Sequence, residues 1–196
     1  MLVLASGSAS RARLLRAAAV SFEVYPAEID EESIKTALLA GGKDAAFVAE
    51  ALAEQKANHV SQIFPEANVL GCDQILQFDG RLIAKSANLA EAKLLLKQLS
   101  GKTHFLLTAS VLSKGGKAIW RTLERCTMRM RSMDDEFLDH YLAAEGNSIL
   151  SSVGCYHLEG RGAQLFETVE GDYFSVLGMP LLSVLAALRD QGIIAR

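Results

Sequence analysis

Apolar and polar positions along the chain fall into short blocks that switch between a strand period and a helix period. Leu2 to Ala5 is an apolar run of strand length, Ser6-Gly7-Ser8-Ala9-Ser10 is turn-prone, and Arg11 to Val20 is rich in Ala, Leu and Arg. The chain therefore opens as strand, loop and helix. Phe22 to Tyr25 alternates as a second strand, Pro26 to Glu32 reads as an acidic loop, and helical patches follow near 33–40 and 44–60. Val69 to Phe78 is an apolar strand interrupted by Asp73, and Asp79-Gly80 turns it into Arg81 to Ala84. Asn88-Leu89-Ala90-Glu91 has capping-box form and opens a helix to Leu99, which Ser100-Gly101 ends. Thr103 to Ser113 and Lys117 to Met130 flank Gly115-Gly116 as a long hairpin. Ser132 is placed to cap a helix running to Ala144, strands are expected at 151–157 and 164–176, and Met179-Pro180 starts a last helix that stops before Gly192.

Hairpins and crossovers both occur, and no repeat or linker breaks the chain, so the pattern predicts a single α/β domain over residues 1–196 with a mixed β-sheet flanked by helices. Its 196 residues allow about 70% of the unfolded surface to be buried, so a core forms without staples. Half of the residues are apolar, 22% are charged, and the net charge is −3. This balance excludes a disordered chain, and it argues against a nucleic-acid polymer as partner, because duplex binding by phosphate neutralisation needs a basic excess. Cys72, Cys126 and Cys155 are widely spaced, without a metal-ligand pattern, and are read as reduced thiols. The N-terminal apolar run is too short for a secretory signal and no apolar run nears the roughly 18 residues of a membrane span, so a cytoplasmic, non-membrane protein is expected.

Against that background a few positions stand out chemically. Ser6 to Ser10 lies between a strand and a helix, where small residues let backbone N–H groups approach an anion, and Arg11 would add a forked contact to a phosphate; the alternative is a plain Ser8-type cap with a solvated Arg. Asp73 is a carboxylate within an apolar strand, which is costly unless paired, metal-bound or at a wet strand end, and Gly71 is expected to leave space for a ligand beside it. Such a group suits a general base or a metal ligand, or else a structural acceptor of loop N–H groups. Gln74 points to the other face of the strand. Lys56 shares a four-residue spacing with Val48, Leu52 and Val60, so its ammonium lies on an apolar stripe and must snorkel or meet an anion. Glu31 and Lys85, taken singly, read as surface charge.

Other signals are weaker. Ser100-Gly101-Lys102-Thr103 copies the tail of a phosphate-binding loop, but the required first Gly is Leu96 and a helix precedes it, so it reads as a helix end and strand start. His59, His104, His140 and His157 show no ligand spacing, and Arg125, Arg129 and Arg131 form a cationic row on one strand face, solvated or dimer-facing.

In order and spacing, Leu4-Ala5-Ser6-Gly7-Ser8-Ala9-Ser10-Arg11, Asp30-Glu31, Gln55-Lys56-Ala57, Gly71-Cys72-Asp73-Gln74, Ala84-Lys85, Leu99 to His104, Leu158-Glu159-Gly160 and Leu177-Gly178-Met179-Pro180-Leu181 resemble the Maf-type nucleoside triphosphate pyrophosphatases. The resemblance spans nearly the whole chain. It implies an elongated mixed sheet with flanking helices, of the Maf and inosine-triphosphatase type, often in a dimer. It also implies an enzyme that splits a nucleoside triphosphate into the monophosphate and pyrophosphate with Mg²⁺ or Mn²⁺. Carried over by position, Asp73 resembles the proton acceptor, Ser8, Arg11, Lys56 and Lys85 the phosphate-binding set, and Glu31 the acidic position near the metal.

Three positions bear on the base. Gln74 and Glu159 agree with the 7-methyl-GTP type of the family, whereas its dTTP/UTP type carries Thr and Gln there; Ser10 matches neither. A carboxylate at 159 accepts from the N1–H and exocyclic amine of guanine and opposes a thymine carbonyl. Ser86 stands where the family usually has Pro, which predicts a looser Lys85. The departures at Ser10 and Ser86 also fit a rival reading, a nucleotide-binding regulator of cell division without turnover.

Overall fold

The computed structural model describes residues 1–195, which fold into a seven-stranded mixed sheet flanked by helices. The strands are β1 (Leu2–Leu4), β2 (Glu23–Val24), β3 (Asn68–Phe78), β4 (Arg81–Ile83), β5 (Thr103–Lys114), β6 (Lys117–Met130) and β7 (Phe166–Glu170), and the helices are α1 (Ala9–Ala17), α2 (Glu31–Ala40), α3 (Ala45–Ile63), α4 (Leu89–Leu99), α5 (Asp135–Glu145), α6 (Tyr173–Val176) and α7 (Leu181–Asp190). The sheet order is β2-β1-β3-β5-β6-β7, with β4 paired to β3. Parallel pairing of β1 with β2 and β3 is joined to antiparallel β3–β4 and β6–β7, which is the mixed α/β class that the sequence predicts. The chain divides into two compact units, one of residues 1–74, 107–124 and 172–196 and the other of residues 75–106 and 125–171.

In the first unit β1 and β3 are buried on both faces, so their apolar runs do not alternate with polar residues but divide between two cores. Leu2, Leu4, Leu70 and Cys72 join Leu15 of α1 and Val184 and Leu188 of α7 in one cluster. Val3, Ala5 and Val69 join Val60 of α3 on the opposite face. The side-chain period of two then assigns the faces of the next residues along β3: Gly71 and Asp73 continue the α3 face, and Gln74 turns away from it.

Gly71 does not make room for a ligand, contrary to its sequence-based reading. A Cβ there would sit 2.3 Å from the Ala53 carbonyl oxygen and 2.7 Å from the Ala57 nitrogen. The space is filled by the backbone of α3, whose Ala45, Ala49, Ala53 and Ala57 are all buried along the contact. Small residues on both sides bring helix and strand into close approach.

In the second unit α4 and α5 pack together, with Lys97 bonded to Asp135 at 2.8 Å and Lys93 to Asp139. Ser100-Gly101 ends α4, and Lys102 lies over the Phe78 ring, so the Walker-like tail is a helix end and strand start, as its sequence context predicts. Three sequence expectations are corrected here. The cap of α5 is Asp134, whose carboxylate accepts from Phe137 N–H, and not Ser132. Residues 151–157 form no strand; a 3₁₀ helix, Gly146–Ser151, leads into turns. The strand expected over 164–176 is confined to Phe166–Glu170, because Asp172 caps the short α6. Arg125 lies over Phe105, Arg129 pairs with Glu167 at 2.8 Å, and Arg131 donates to the Gln164 carbonyl beyond a register shift, so each arginine of the row has its own neighbour.

His104 is buried in this unit, its Nε2 2.7 Å from the Tyr156 hydroxyl and its Nδ1 without a partner. Burial disfavours the imidazolium and pushes the histidine down to about 4. All three cysteines are buried, and none of them is in a disulfide. Among the described residues no helix is long and apolar enough to cross a membrane.

Gly71→Ala is expected to lose about 3 kcal/mol, because the clash is with helix backbone and not with a movable side chain; an unchanged urea midpoint would refute the close approach. His104 is neutral when folded and titrates near its ordinary value of about 6.5 when unfolded, so its contribution is full above pH 6.5 and is lost as pH falls toward 4. Denaturation at pH 7 and pH 5 should differ by about 2 kcal/mol more in the parent protein than in His104→Gln. Equal pH dependence in the two would show that His104 is not held neutral.

Candidate active site

The site begins with the stripe on α3. Lys56 follows Val48 and Leu52 at helical spacing on the buried face, and its ammonium does not snorkel. Nζ donates to Asp73 Oδ1 at 2.7 Å and to Glu31 Oε1 at 2.9 Å. The Lys56 and Asp73 side chains are only 9% and 8% exposed, so their pairing is what makes either burial tolerable. Asp73 is thus a paired carboxylate in mid-strand, and not a strand-end acceptor of loop N–H groups.

Glu31 is neither in a loop nor plain surface charge. Asp30 accepts from the Ser33 N–H and starts α2 earlier than the sequence pattern indicates, which sets Glu31 in the first turn. From there it reaches Lys56. Two carboxylates and one ammonium leave a formal excess of one negative charge. Among the described residues no three of His, Cys, Asp and Glu cluster as a metal cage. Two hard oxygen donors with an excess negative charge still fit Mg²⁺ or Mn²⁺, which take one or two carboxylates and complete their shells with phosphate oxygens and water.

At the other side of β1, the loop into α1 is built as a cap. Ser8 accepts from the Arg11 N–H at 3.4 Å, and its own N–H donates to the Ser6 hydroxyl. Arg11 is not simply solvated: Nε donates to the Gly178 carbonyl at 2.8 Å and Nη1 to the Ser6 hydroxyl at 2.9 Å. Gly178 has φ +106°, a conformation that an L side chain resists, so the residue that aims the guanidinium is a glycine for a backbone reason. Ser10, in the first turn of α1, is half-buried.

Gln74, on the opposite face from Asp73, has a fixed orientation. Its Nε2 donates to the Thr108 hydroxyl at 2.9 Å and to the carbonyls of Ser175 and Val176 at 2.8 and 3.2 Å. With the amide nitrogen spent on acceptors, Oε1 is the atom left to meet a ligand, and it can only accept. Thr108 and Ser175, both fully buried, were not legible as part of this arrangement: Ser175 is 101 residues from Gln74, and neither lies in a motif.

The structure therefore brings Glu31, Lys56 and Asp73 into contact within the first unit, with Ser8, Ser10, Arg11 and Gln74 in that unit as well. Lys85 and Glu159 belong to the second unit, where both are exposed. Ser86 is buried and has a partner in Cys155, with the thiol 3.3 Å from its hydroxyl.

Comparison with known proteins agrees with this arrangement of motifs. The family described as Maf-like protein matches residues 1–191. A Ruegeria pomeroyi protein named nucleoside triphosphate pyrophosphatase is 48% identical over 193 residues, 98% of this chain and 97% of its own. One of the same name from Granulibacter bethesdensis is 44% identical over 190 residues, 97% and 96% of the two chains. A 7-methyl-GTP pyrophosphatase of Rhizobium meliloti is 43% identical over 194 residues, 99% and 98%. With a family match to residue 191 and this identity along nearly the whole length, the chain belongs to the Maf-like protein family.

Proposed function

We propose that the chain hydrolyses the α–β phosphoanhydride of a nucleoside triphosphate, releasing the monophosphate and pyrophosphate, with Asp73 as the proton acceptor. The observation that carries the reading is the buried Lys56 ammonium shared by Asp73 and Glu31. Relatives named nucleoside triphosphate pyrophosphatase support the reaction class.

Lys56 occupies Oδ1 of Asp73, which leaves Oδ2 to take a proton from water. The water oxygen forms a bond to the α-phosphorus as the bond to the bridging oxygen breaks, and the electron pair leaves with pyrophosphate. Phosphoryl transfer asks the protein mainly for positioning and charge. Arg11 supplies both, because the Gly178 carbonyl and the Ser6 hydroxyl hold its fork before a ligand arrives. Ser8 caps α1 through the Arg11 N–H, and by family position it belongs to the phosphate-binding set. By family position, Lys85 adds a further phosphate-binding cation.

A bound Mg²⁺ or Mn²⁺ would supply positive charge against the phosphate oxygens, and Glu31 is the carboxylate that would hold it. For the base we favour 7-methyl-GTP over dTTP and UTP. Glu159 is a carboxylate, which accepts from the N1–H and exocyclic amine of guanine and opposes a thymine carbonyl, and Gln74 agrees by position with the 7-methyl-GTP type of the family. The 7-methyl-GTP pyrophosphatase relatives support that choice. We place the reaction in the cytoplasm, where three cysteines outside any disulfide stay reduced.

Incubation with a panel of nucleoside triphosphates and Mg²⁺ or Mn²⁺ should release pyrophosphate and not single phosphate, and Asp73→Asn should lower kcat about a hundredfold or more. Equal turnover by the two proteins rejects Asp73 as the base, and saturable binding without turnover under either metal favours the regulatory reading. Glu159→Gln should move the ratio of kcat/KM for 7-methyl-GTP over dTTP by about tenfold toward dTTP. An unchanged substrate ranking removes Glu159 from base recognition.

A further inference from the structure

Ser86 follows Lys85 in a stretch without regular structure, between the end of β4 at Ile83 and the start of α4 at Leu89. A second irregular stretch, residues 152–160 of the same unit, carries Glu159. The two meet at one side-chain contact. The Cys155 thiol donates to the Ser86 hydroxyl at 3.3 Å. Both residues are buried, Ser86 at 9% exposure and Cys155 at 0%.

Cys155 is held on every side. Its φ is +56°, a left-handed conformation that a side chain adopts only when its surroundings impose it. Its N–H donates to the Ser152 carbonyl at 3.2 Å, its carbonyl accepts from the Tyr141 hydroxyl at 3.2 Å, and its sulfur meets Ser86. The other end of the Lys85 stretch is fixed too, since Ala87 N–H donates to Glu91 of α4 at 2.8 Å. A proline at 86 would stiffen the chain by its ring but would lack the hydroxyl that meets the sulfur. Serine at this position serves the same end through its hydrogen bond.

We propose that the Ser86–Cys155 pair is a strut that positions Lys85 for the substrate phosphates. Ser86 and Cys155 are positioning residues, and the proposal rests on the reading of Lys85 as a phosphate-binding cation. The strut acts on phosphate-binding geometry through Lys85, the chain neighbour of Ser86. Its loss therefore affects KM more than kcat, and its effect depends on the lysine being present.

The experiment is a double-mutant cycle on the full chain, read by KM and kcat for the best triphosphate of the panel with Mg²⁺, with thermal melting as a control for folding. Ser86→Ala is expected to raise KM about three- to tenfold with kcat changed less than about twofold, and to add nothing in the Lys85→Ala background. Cys155→Ala should reproduce that effect, and Cys155→Ser, which keeps a donor at the contact, should stay near the parent protein even if Ser86→Ala folds poorly. An equal rise in KM with and without Lys85 overturns the proposal, because it marks a packing effect; so does an unchanged KM in Ser86→Ala when Lys85→Ala itself raises KM. If Lys85→Ala leaves KM unchanged, the phosphate-binding role of Lys85 fails and the strut's role fails with it. That result is distinct from failure of the reaction class, which the release of pyrophosphate reports.

Discussion

The ammonium of Lys56 stands out of water between two carboxylates, and that pairing sets a condition on the elements around it. A lysine and an aspartate, each less than a tenth exposed, are tolerable only in mutual contact, since removing either partner leaves a buried charge that costs roughly 3 to 5 kcal/mol. The contact at 2.7 Å requires α3 to lie directly on β3. Gly71 permits it, two residues before Asp73 and on the same face, where any Cβ would strike the helix backbone. The alanine row of α3 permits it from the other side. A chemical group and a packing device are thus adjacent in the strand because one makes the other possible.

The same logic of committing polar atoms in advance recurs around the first unit. Arg11 gives two of its donors to a carbonyl and a hydroxyl, and Gln74 gives its amide nitrogen to three acceptors. Each side chain is thereby held in one orientation. Fixing long polar side chains before binding lowers the entropy cost of recognition. It also settles polarity, for Gln74 becomes an acceptor and Arg11 keeps only donors.

Much of this was legible in the pattern of residues, and the reason differs from place to place. The two-sided burial of β1 and β3 follows from unbroken apolar runs, and the opposite faces of Asp73 and Gln74 follow from the strand period. Lys56 was conspicuous because an ammonium on an apolar stripe must snorkel or meet an anion, and only the fold decided between the two. Glu31 was not, because acidic residues at helix starts are common for reasons of capping and dipole. Residues 151–157 misled because Val153, Cys155 and Tyr156 are interspersed with small residues in the manner of a strand, whereas the left-handed Cys155 and a Gly154 pressed against the Tyr156 ring hold a turn.

The sequence by itself determined which positions lie on buried faces, where most helices and strands begin and end to within a few residues, and which charges would be anomalous if buried. These are properties of local spacing and side-chain chemistry, and they need no knowledge of distant neighbours. Only the tertiary structure decided the partners: Asp73 and Glu31 for Lys56, Gly178 for Arg11, Ser175 for Gln74 across 101 residues, and Cys155 for Ser86 across 69. Partner choice depends on which elements pack and at what height they meet. A helix resting on a glycine, as α3 rests on Gly71, sets that height through backbone contact, which no periodicity along the chain records.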